Sequence, residues 1–294
     1  LGLRPYDECV DWIANKFDEA IALGLKNSYA GSSEYGRGTA TAAKALKGRM
    51  FLYAASPLFN GGSSSEPDTD NLTSVYQNLK NADGTQLISS TYDKSKWKRA
   101  ADALEVAITA AKNDGVALYK KVPDNLIVEP TDPVQAVLRM TFIDRNTPEI
   151  IWPYAKKEGG YSVQNKSTPF DPDRDWSWNG ISPSIEMVKT FYSSNGLPID
   201  EDPAYDYANI EGTANHTGNI GNGEGTTLNL HLNREPRFYA WIAYHNSYYE
   251  IKRNGSTNKY LVKFAFNDNC GKNGRSSNYS PTGYLNKKGV HPNY

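Results

Sequence analysis

Residues 36–60 read GRGTATAAKALKGRMFLYAASPLFN. Thr39 is placed to cap a helix, no proline interrupts residues 40–56, and Pro57 stands where a helix must stop, so the stretch predicts a helix of about five turns. Ala42, Ala43, Leu46, Met50, Tyr53 and Ala54 share one apolar stripe, while Ala45, Gly48, Leu52 and Ala55 form a second stripe of mostly small residues. Such a helix packs on two sides. Gly48 costs about 1 kcal/mol of helix propensity relative to alanine, a cost that close approach of a neighbouring helix would justify. Arg49 falls between the stripes and is expected to find a carboxylate.

Working outward, Val10, Ile13, Phe17 and Ala20/Ile21 recur at helical spacing between Pro5 and about Leu23, with Asp7, Glu8 and Asp11 early, where the helix dipole favours acids. The glycine- and serine-bearing link 24–38 then returns the chain into the central helix as a helical hairpin of tetratricopeptide-like size. One pair does not establish a repeat. Residues 61–91, rich in Gly, Ser, Asn and Asp, read as a surface insertion. Trp97, Ala100/Ala101, Leu104, Ile108 and Ala111 make the next helical stripe, stopped at 113–115 by Asn-Asp-Gly. A helix is expected from Pro133 to about Ile143, a short extended run at Ile150, Ile151 and Trp152, and a helix over Pro183 to Ser194. Residues 209–229, crowded with Gly, Asn and Thr, predict a mobile loop, and Trp241, Ala243 and the following tyrosines a strand.

The 294-residue chain carries 32 basic and 33 acidic side chains, net charge −1, so no global field favours nucleic acid or an anionic membrane. Its 20 tyrosines and 6 tryptophans at a mean hydropathy of −0.64 exceed what a core needs, and amphipathic rings suit surfaces that bind polar ligands. For any single ring, packing remains the default reading. Cys9 and Cys270 fit neither a disulfide framework nor a metal spacing, and Cys9 reads as a small buried hydrophobe. No apolar run is long enough to span a bilayer, no signal peptide opens the sequence, and the abrupt start LGLRPYDECV reads as a processed or truncated portion of something longer.

Four blocks together carry a resemblance to the SusD/RagB family, the surface nutrient-binding lipoproteins of Bacteroidetes. The family's G-R-A-T-K-G-A-A-x-A-L-K-A-R-x-L-L-Y-A-A-S-P-L-F-N is similar to this chain at Gly36, Arg37, Thr39, Ala42, Ala43, Ala45 to Lys47, Arg49 and Leu52 to Asn60. It departs at Gly38, Ala40, Thr41 and Gly48. The segment NTPEII at 146–151, the words SPSIEMVKTFYSSNGLPID at 182–200 and NREPRFY at 233–239, with Glu235 for the family's Asp, also resemble family blocks in order and spacing. Family chains are considerably longer, so the resemblance implies an internal portion lacking the lipidated N-terminal region and the last helices.

The most informative candidate site is the loop 170–180, FDPDRDWSWNG, two tryptophans beside three acids and an arginine. A sugar presents an apolar C–H face to an indole while its hydroxyls need polar partners. Trp176 and Trp178 supply the first kind of group, Arg174 and Asn179 the second. The bland alternative is that one tryptophan plugs the scaffold. Asp171, Asp173 and Asp175 match the first acidic positions of an EF-hand loop, but Trp176 stands where glycine is needed and Ser182 where glutamate is, so an EF-hand calcium site is not expected, and a calcium site of another kind on these acids stays the open alternative. Trp152, Tyr154 and Tyr161 leave the extended run into a loop where a platform can form; packing is the expected fate of Trp152 and exposure that of Tyr161. Tyr248 and Tyr249 are weaker candidates.

No catalytic constellation persuades. His216, His231, His245 and His291 lack metal or triad spacing, residues 221–225 lack the lysine of a phosphate loop, and Asp200, Glu201 and Asp202 read as a solvated loop. The expected architecture is mainly α, a tetratricopeptide-like helical scaffold (SusD-like) with long loops and a few short strands, helical over 1–145 and loop-rich and ligand-binding over 146–294. The resemblance implies no enzyme and no cofactor, but a glycan-binding protein, lipid-anchored at the outer-membrane surface, that delivers its ligand to a SusC-type TonB-dependent transporter. Peptide capture, as some family members perform, is the first alternative. A glycoside hydrolase, which needs paired carboxylates about 5–10 Å apart, is another, and a plain helical interaction module the third.

Overall fold

The computed structural model describes all residues except 1, 30–31, 62–77, 125, 127–129, 131, 146, 155–162, 172–176, 217–221, 253–258 and 294. The chain forms two compact units, residues 1–118 with 148–156 and residues 119–147 with 157–294. Its regular structure is mostly helical, with short strands confined to the second unit.

The first unit is built on α1 (Tyr6–Ala22), α2 (Ala40–Ala55) and α3 (Ser95–Asn113). Thr39 caps α2 as its position implies, its Oγ1 accepting from the Ala42 nitrogen at 2.9 Å. Both α1 and α3 pack on α2, and Val10, Ala14, Phe51, Ala54 and Ala100 form the core between them. The stripes are therefore corrected. Phe51, in neither stripe, is buried, whereas Leu52 and Tyr53 are 42% and 55% exposed. Gly48 lies against Leu104 of α3 as expected, while the bulkier Leu52 and Tyr53 face outward. Ile108 likewise leaves the buried face of α3, which consists of Ala100, Ala107 and Ala111. Among the described residues Arg49 pairs with no carboxylate and lies over the Tyr53 ring instead, 5.8 Å from its centroid. Lys96 to Asp7 (2.7 Å) and Arg99 to Asp11 (2.6 Å) tie α3 to α1; the second, exposed on both sides, contributes at most about 1 kcal/mol. Gly115, at φ +83°, ends α3 in the left-handed conformation, and the Ala117 nitrogen donates to Pro148 O at 3.1 Å, bringing residues 148–156 into this unit.

The second unit carries α4 (Pro133–Met140), α5 (Val163–Ser167), α6 (Ile185–Lys189) and α7 (Pro236–Trp241). Its strands make three antiparallel pairs: β1 (Thr213–Asn215) with β2 (Thr226–Leu228), β3 (Ile242–Ala243) with β6 (Leu285–Asn286), and β4 (Ser247–Tyr249) with β5 (Tyr260–Val262). Several expectations change here. The run at 150–152 has no strand partner and bends, and Trp241 closes a helix rather than opening a strand. The 209–229 stretch contains the β1–β2 pair, with 217–221 outside the described residues.

The helix expected over 183–194 ends at Lys189, and Arg234 takes carbonyls at its end and just beyond it. The buried guanidinium donates to Val188 O (2.8 Å), Phe191 O (2.6 Å), Tyr192 O (3.3 Å) and Leu230 O (2.7 Å), satisfying groups that a helix end leaves orphaned. Around it Val188, Phe191, Ile199, Phe238, Tyr239 and Tyr244 form one core cluster. A second, holding Tyr249, Val262, Cys270 and Leu285, surrounds a buried ionic group. There Lys287 Nζ stands 2.6 Å from Glu250 Oε2, Arg139 reaches the same carboxylate at 3.7 Å, and Lys287 also donates to Tyr239 O and Tyr248 O. Burial works against the Glu250 anion, but the two cations together hold its carboxyl below the ordinary range.

A candidate ligand cleft on an anchored tryptophan

The link between α1 and α2 makes its own turn. Ser32 Oγ donates to Tyr29 O (2.8 Å) and accepts from the Glu34 nitrogen (3.2 Å), and the Arg37 nitrogen donates to Glu34 O (3.1 Å). Gly36 closes the turn at φ +99°, a conformation that disfavours any side chain. Its carbonyl accepts the indole N–H of Trp152 at 2.9 Å, across 116 positions of sequence. The tryptophan is thereby fixed by its edge while its ring stays 51% exposed, and Tyr154 beside it is 86% exposed. Trp152 and Tyr154 face Tyr35, Glu34 and Arg37 across an open cleft of 690 Å³, a volume suited to a short oligosaccharide. Glu34 is ion-paired to Arg37, and its other oxygen lies 3.6 Å from Lys26 Nζ. The arrangement offers flat apolar faces, that of Trp152 anchored, with charged hydrogen-bonding groups beside them. That is the combination a sugar ring with its hydroxyls requires.

The expectation that Trp152 packs inside is corrected: the residue is half exposed, with its N–H edge held by Gly36. Trp178 belongs to the second unit, where it is half-buried and its nitrogen donates to Asn165 O at 3.2 Å. Asn179 is fully buried with φ +49°, its Oδ1 accepting from the Phe170 nitrogen (2.8 Å) and its Nδ2 donating to Asn278 O (3.1 Å). That amide is spent on the fold and leaves nothing for a sugar. Trp176, Arg174 and Tyr161 lie outside the described residues, as do Asp173 and Asp175 of the calcium-like triplet; Asp171 is buried. Tyr249 is core, its hydroxyl donating to Asn286 O at 2.8 Å. Sequence reasoning missed Glu34, Tyr35 and Arg37, which read as a linker; the Gly36–Arg37 pair opening the central block was the available signal.

The titratable groups elsewhere serve structure. Asp202 is buried, not solvated as expected of its acidic run, and accepts from Ser193 Oγ, the Ala204 nitrogen and Asn195 Nδ2; these bonds, Ser193 first, hold its carboxyl below the usual range. His231 is pushed down to about 3, by burial above all and then by Arg234. Thr227 gives its single hydroxyl hydrogen to His245 O, so His231 Nδ1 must donate to Thr227 Oγ1 (2.7 Å) while Nε2 accepts from Tyr284 (2.9 Å). Among the described residues, no group of three His, Cys, Asp or Glu side chains is placed to hold a metal, and no helix is long and apolar enough to cross a membrane.

A family model described as the SusD family matches residues 148–294. Among solved structures, the chain is similar to BT4246, at 29% identity and a TM-score of 0.71, over 99% of this chain and 50% of that one. The selenomethionine form of BT4246 gives 30% identity at the same TM-score, covering 51% of that chain. A SusD-like protein (BF3747) from Bacteroides fragilis NCTC 9343 shares the fold at 21% identity and a TM-score of 0.56, over 98% of this chain and 43% of that one. The chain thus spans about half the length of the solved structures it matches. No curated protein matches.

Proposed function

The chain belongs to the SusD family, and from that premise we propose that it is the glycan-capturing part of an outer-membrane surface protein, with the Trp152 cleft as its ligand site. The observation that carries the reading is the indole of Trp152, anchored through its N–H to Gly36 and open on its face. A tryptophan filling a core has no use for an exposed face, and one left free in solvent would be disordered at an entropic cost on binding; this one is pre-organised. Bound sugar would stack on Trp152 and Tyr154 and take hydrogen bonds from the charged turn 34–37. No bond is made or broken, so no catalytic group is required. Trp178, with Trp176 and Arg174 beside it in sequence, is proposed as a separate ligand contact of the second unit.

In this reading the three-helix unit serves as the tetratricopeptide-like scaffold. The partner is a SusC-type TonB-dependent transporter, to which the captured oligosaccharide is handed, and attachment to the outer membrane is through a lipid anchor. Titration calorimetry against a panel of oligosaccharides, for wild type and Trp152→Ala, tests the ligand assignment. Binding weakened about tenfold or more by the substitution, in a protein of unchanged melting profile, supports it. Equal binding by both proteins removes the cleft from consideration.

A further inference from the structure

The cleft is not electrically neutral. Its lining holds one acid, Glu34, and one base, Arg37, and the second oxygen of Glu34 faces Lys26, so the lone carboxylate is bracketed by two cations. Arg37 gives Glu34 a single nitrogen, Nη1, and its side chain is 65% exposed. The rest of its fork of N–H donors has no partner among the described residues. The indole cannot add to this, because the one N–H of Trp152 is already committed to Gly36 O, and the Tyr154 hydroxyl adds only an uncharged donor.

We propose that the cleft selects sugars bearing a carboxylate, with Arg37 pairing the acid; this rests on the glycan reading of the cleft. A neutral sugar needs acceptors as well as donors, yet the one charged acceptor here is already engaged by two bases, which leaves the weaker hydroxyls of Ser33, Tyr35 and Tyr154. A carboxylate needs donors alone, and a guanidinium edge offers two parallel ones in matching geometry. Arg37 follows Gly36 directly, the residue that anchors Trp152, so a pyranose stacked on the indole brings its ring substituent to the guanidinium while the ring face stays on the aromatic surface. Recognition is then divided between an uncharged platform, indifferent to the sugar's acid, and one charged fork that reads it.

The test is calorimetric titration with paired oligosaccharides of equal length and linkage, neutral and uronate, together with a sulfated counterpart. The uronate member should bind about tenfold more tightly than its neutral partner at low ionic strength, with the advantage shrinking as salt rises. Arg37→Gln should erase that advantage, Arg37→Lys should keep part of it, and Trp152→Ala should weaken both members of each pair. Equal affinity of the neutral and uronate members, with Trp152→Ala still weakening both, overturns carboxylate selection while the glycan site stands. A sulfated member bound as tightly as the uronate overturns it too, assigning the cleft to anions in general. Indifference of every pair to Trp152→Ala overturns the glycan site and this inference with it.

Discussion

A β-carbon added to Gly48 would stand 2.8 Å from Leu104 Cδ2 and 3.2 Å from the Leu104 backbone nitrogen, so α2 and α3 meet where nothing larger than hydrogen fits. The methyl end of Leu104 can swing aside; its backbone cannot. Gly48→Leu is therefore expected to destabilise the protein by about 3 kcal/mol through overpacking, and Gly48→Ala by less, since alanine regains about 1 kcal/mol of helix propensity. Urea unfolding would show the order wild type, Gly48→Ala, Gly48→Leu, with Leu104→Ala relieving part of the Gly48→Ala loss. A Gly48→Leu protein with the wild-type midpoint would falsify the close packing of these helices.

Arg234 supports the second unit through four backbone carbonyls. Arg234→Lys replaces a planar fork with a point charge that cannot reach all four, and Arg234→Ala leaves buried acceptors unpaired. Losses of about 3–5 kcal/mol are expected for the alanine variant and somewhat less for lysine. Denaturant titration measures both, and a lysine variant as stable as wild type would show the fork geometry to be dispensable.

Tyr154 of the cleft and Asn179 of the loop 170–180 make opposite predictions. Tyr154→Ala should weaken glycan binding about threefold to tenfold and leave melting unchanged, because the ring is almost wholly exposed. Asn179→Ala should do the reverse, costing about 1–3 kcal/mol of stability as the Phe170 N–H and the Asn278 carbonyl lose their partner. Its affinity per folded molecule should match wild type. Melting curves and calorimetry on the two variants separate these outcomes, and a Tyr154→Ala protein that melts early would place that ring in the packing.

His231 sets an acid limit on stability. Burial lowers its folded pKa to about 3 from an unfolded value of 6.5, so the unfolded chain takes up a proton that the folded one refuses throughout that window. Stability contributed by neutral His231 is complete above pH 6.5. It falls by about 1.4 kcal/mol per pH unit as the pH drops toward 3. His216, His245 and His291, each lowered mainly by burial, add in the same direction. His231→Gln should flatten the dependence of melting temperature on pH between 6.5 and 3; an unchanged slope would show that the imidazole is not the group responsible.

The central helix was legible because its cap, its proline stop and its glycine act locally, within a turn or two of chain. Thr39, Pro57 and Gly48 each do in the structure what their chemistry implies. Its buried face was misjudged at Phe51, Leu52 and Tyr53, where hydrophobicity does not say which of several apolar side chains a neighbouring helix will cover. The pattern over 183–194 predicts a longer helix than 185–189 for a related reason: Arg234, which takes the carbonyls at its end, lies 45 positions beyond Lys189.

The sequence by itself determined the family, the helical scaffold of the first part and the surplus of rings that points to a polar ligand. The family is read from the resemblance of four blocks along the chain, the scaffold and the surplus of rings from spacing and composition. Which rings are offered to a ligand was decided by tertiary structure. Trp152 is fixed and open because Gly36, 116 positions away, accepts its N–H, while Asn179, polar and set in a tryptophan-bearing loop, is consumed by Phe170 and Asn278. A side chain's availability depends on whether distant backbone has already taken its hydrogen bonds, and that pairing exists once the chain has folded.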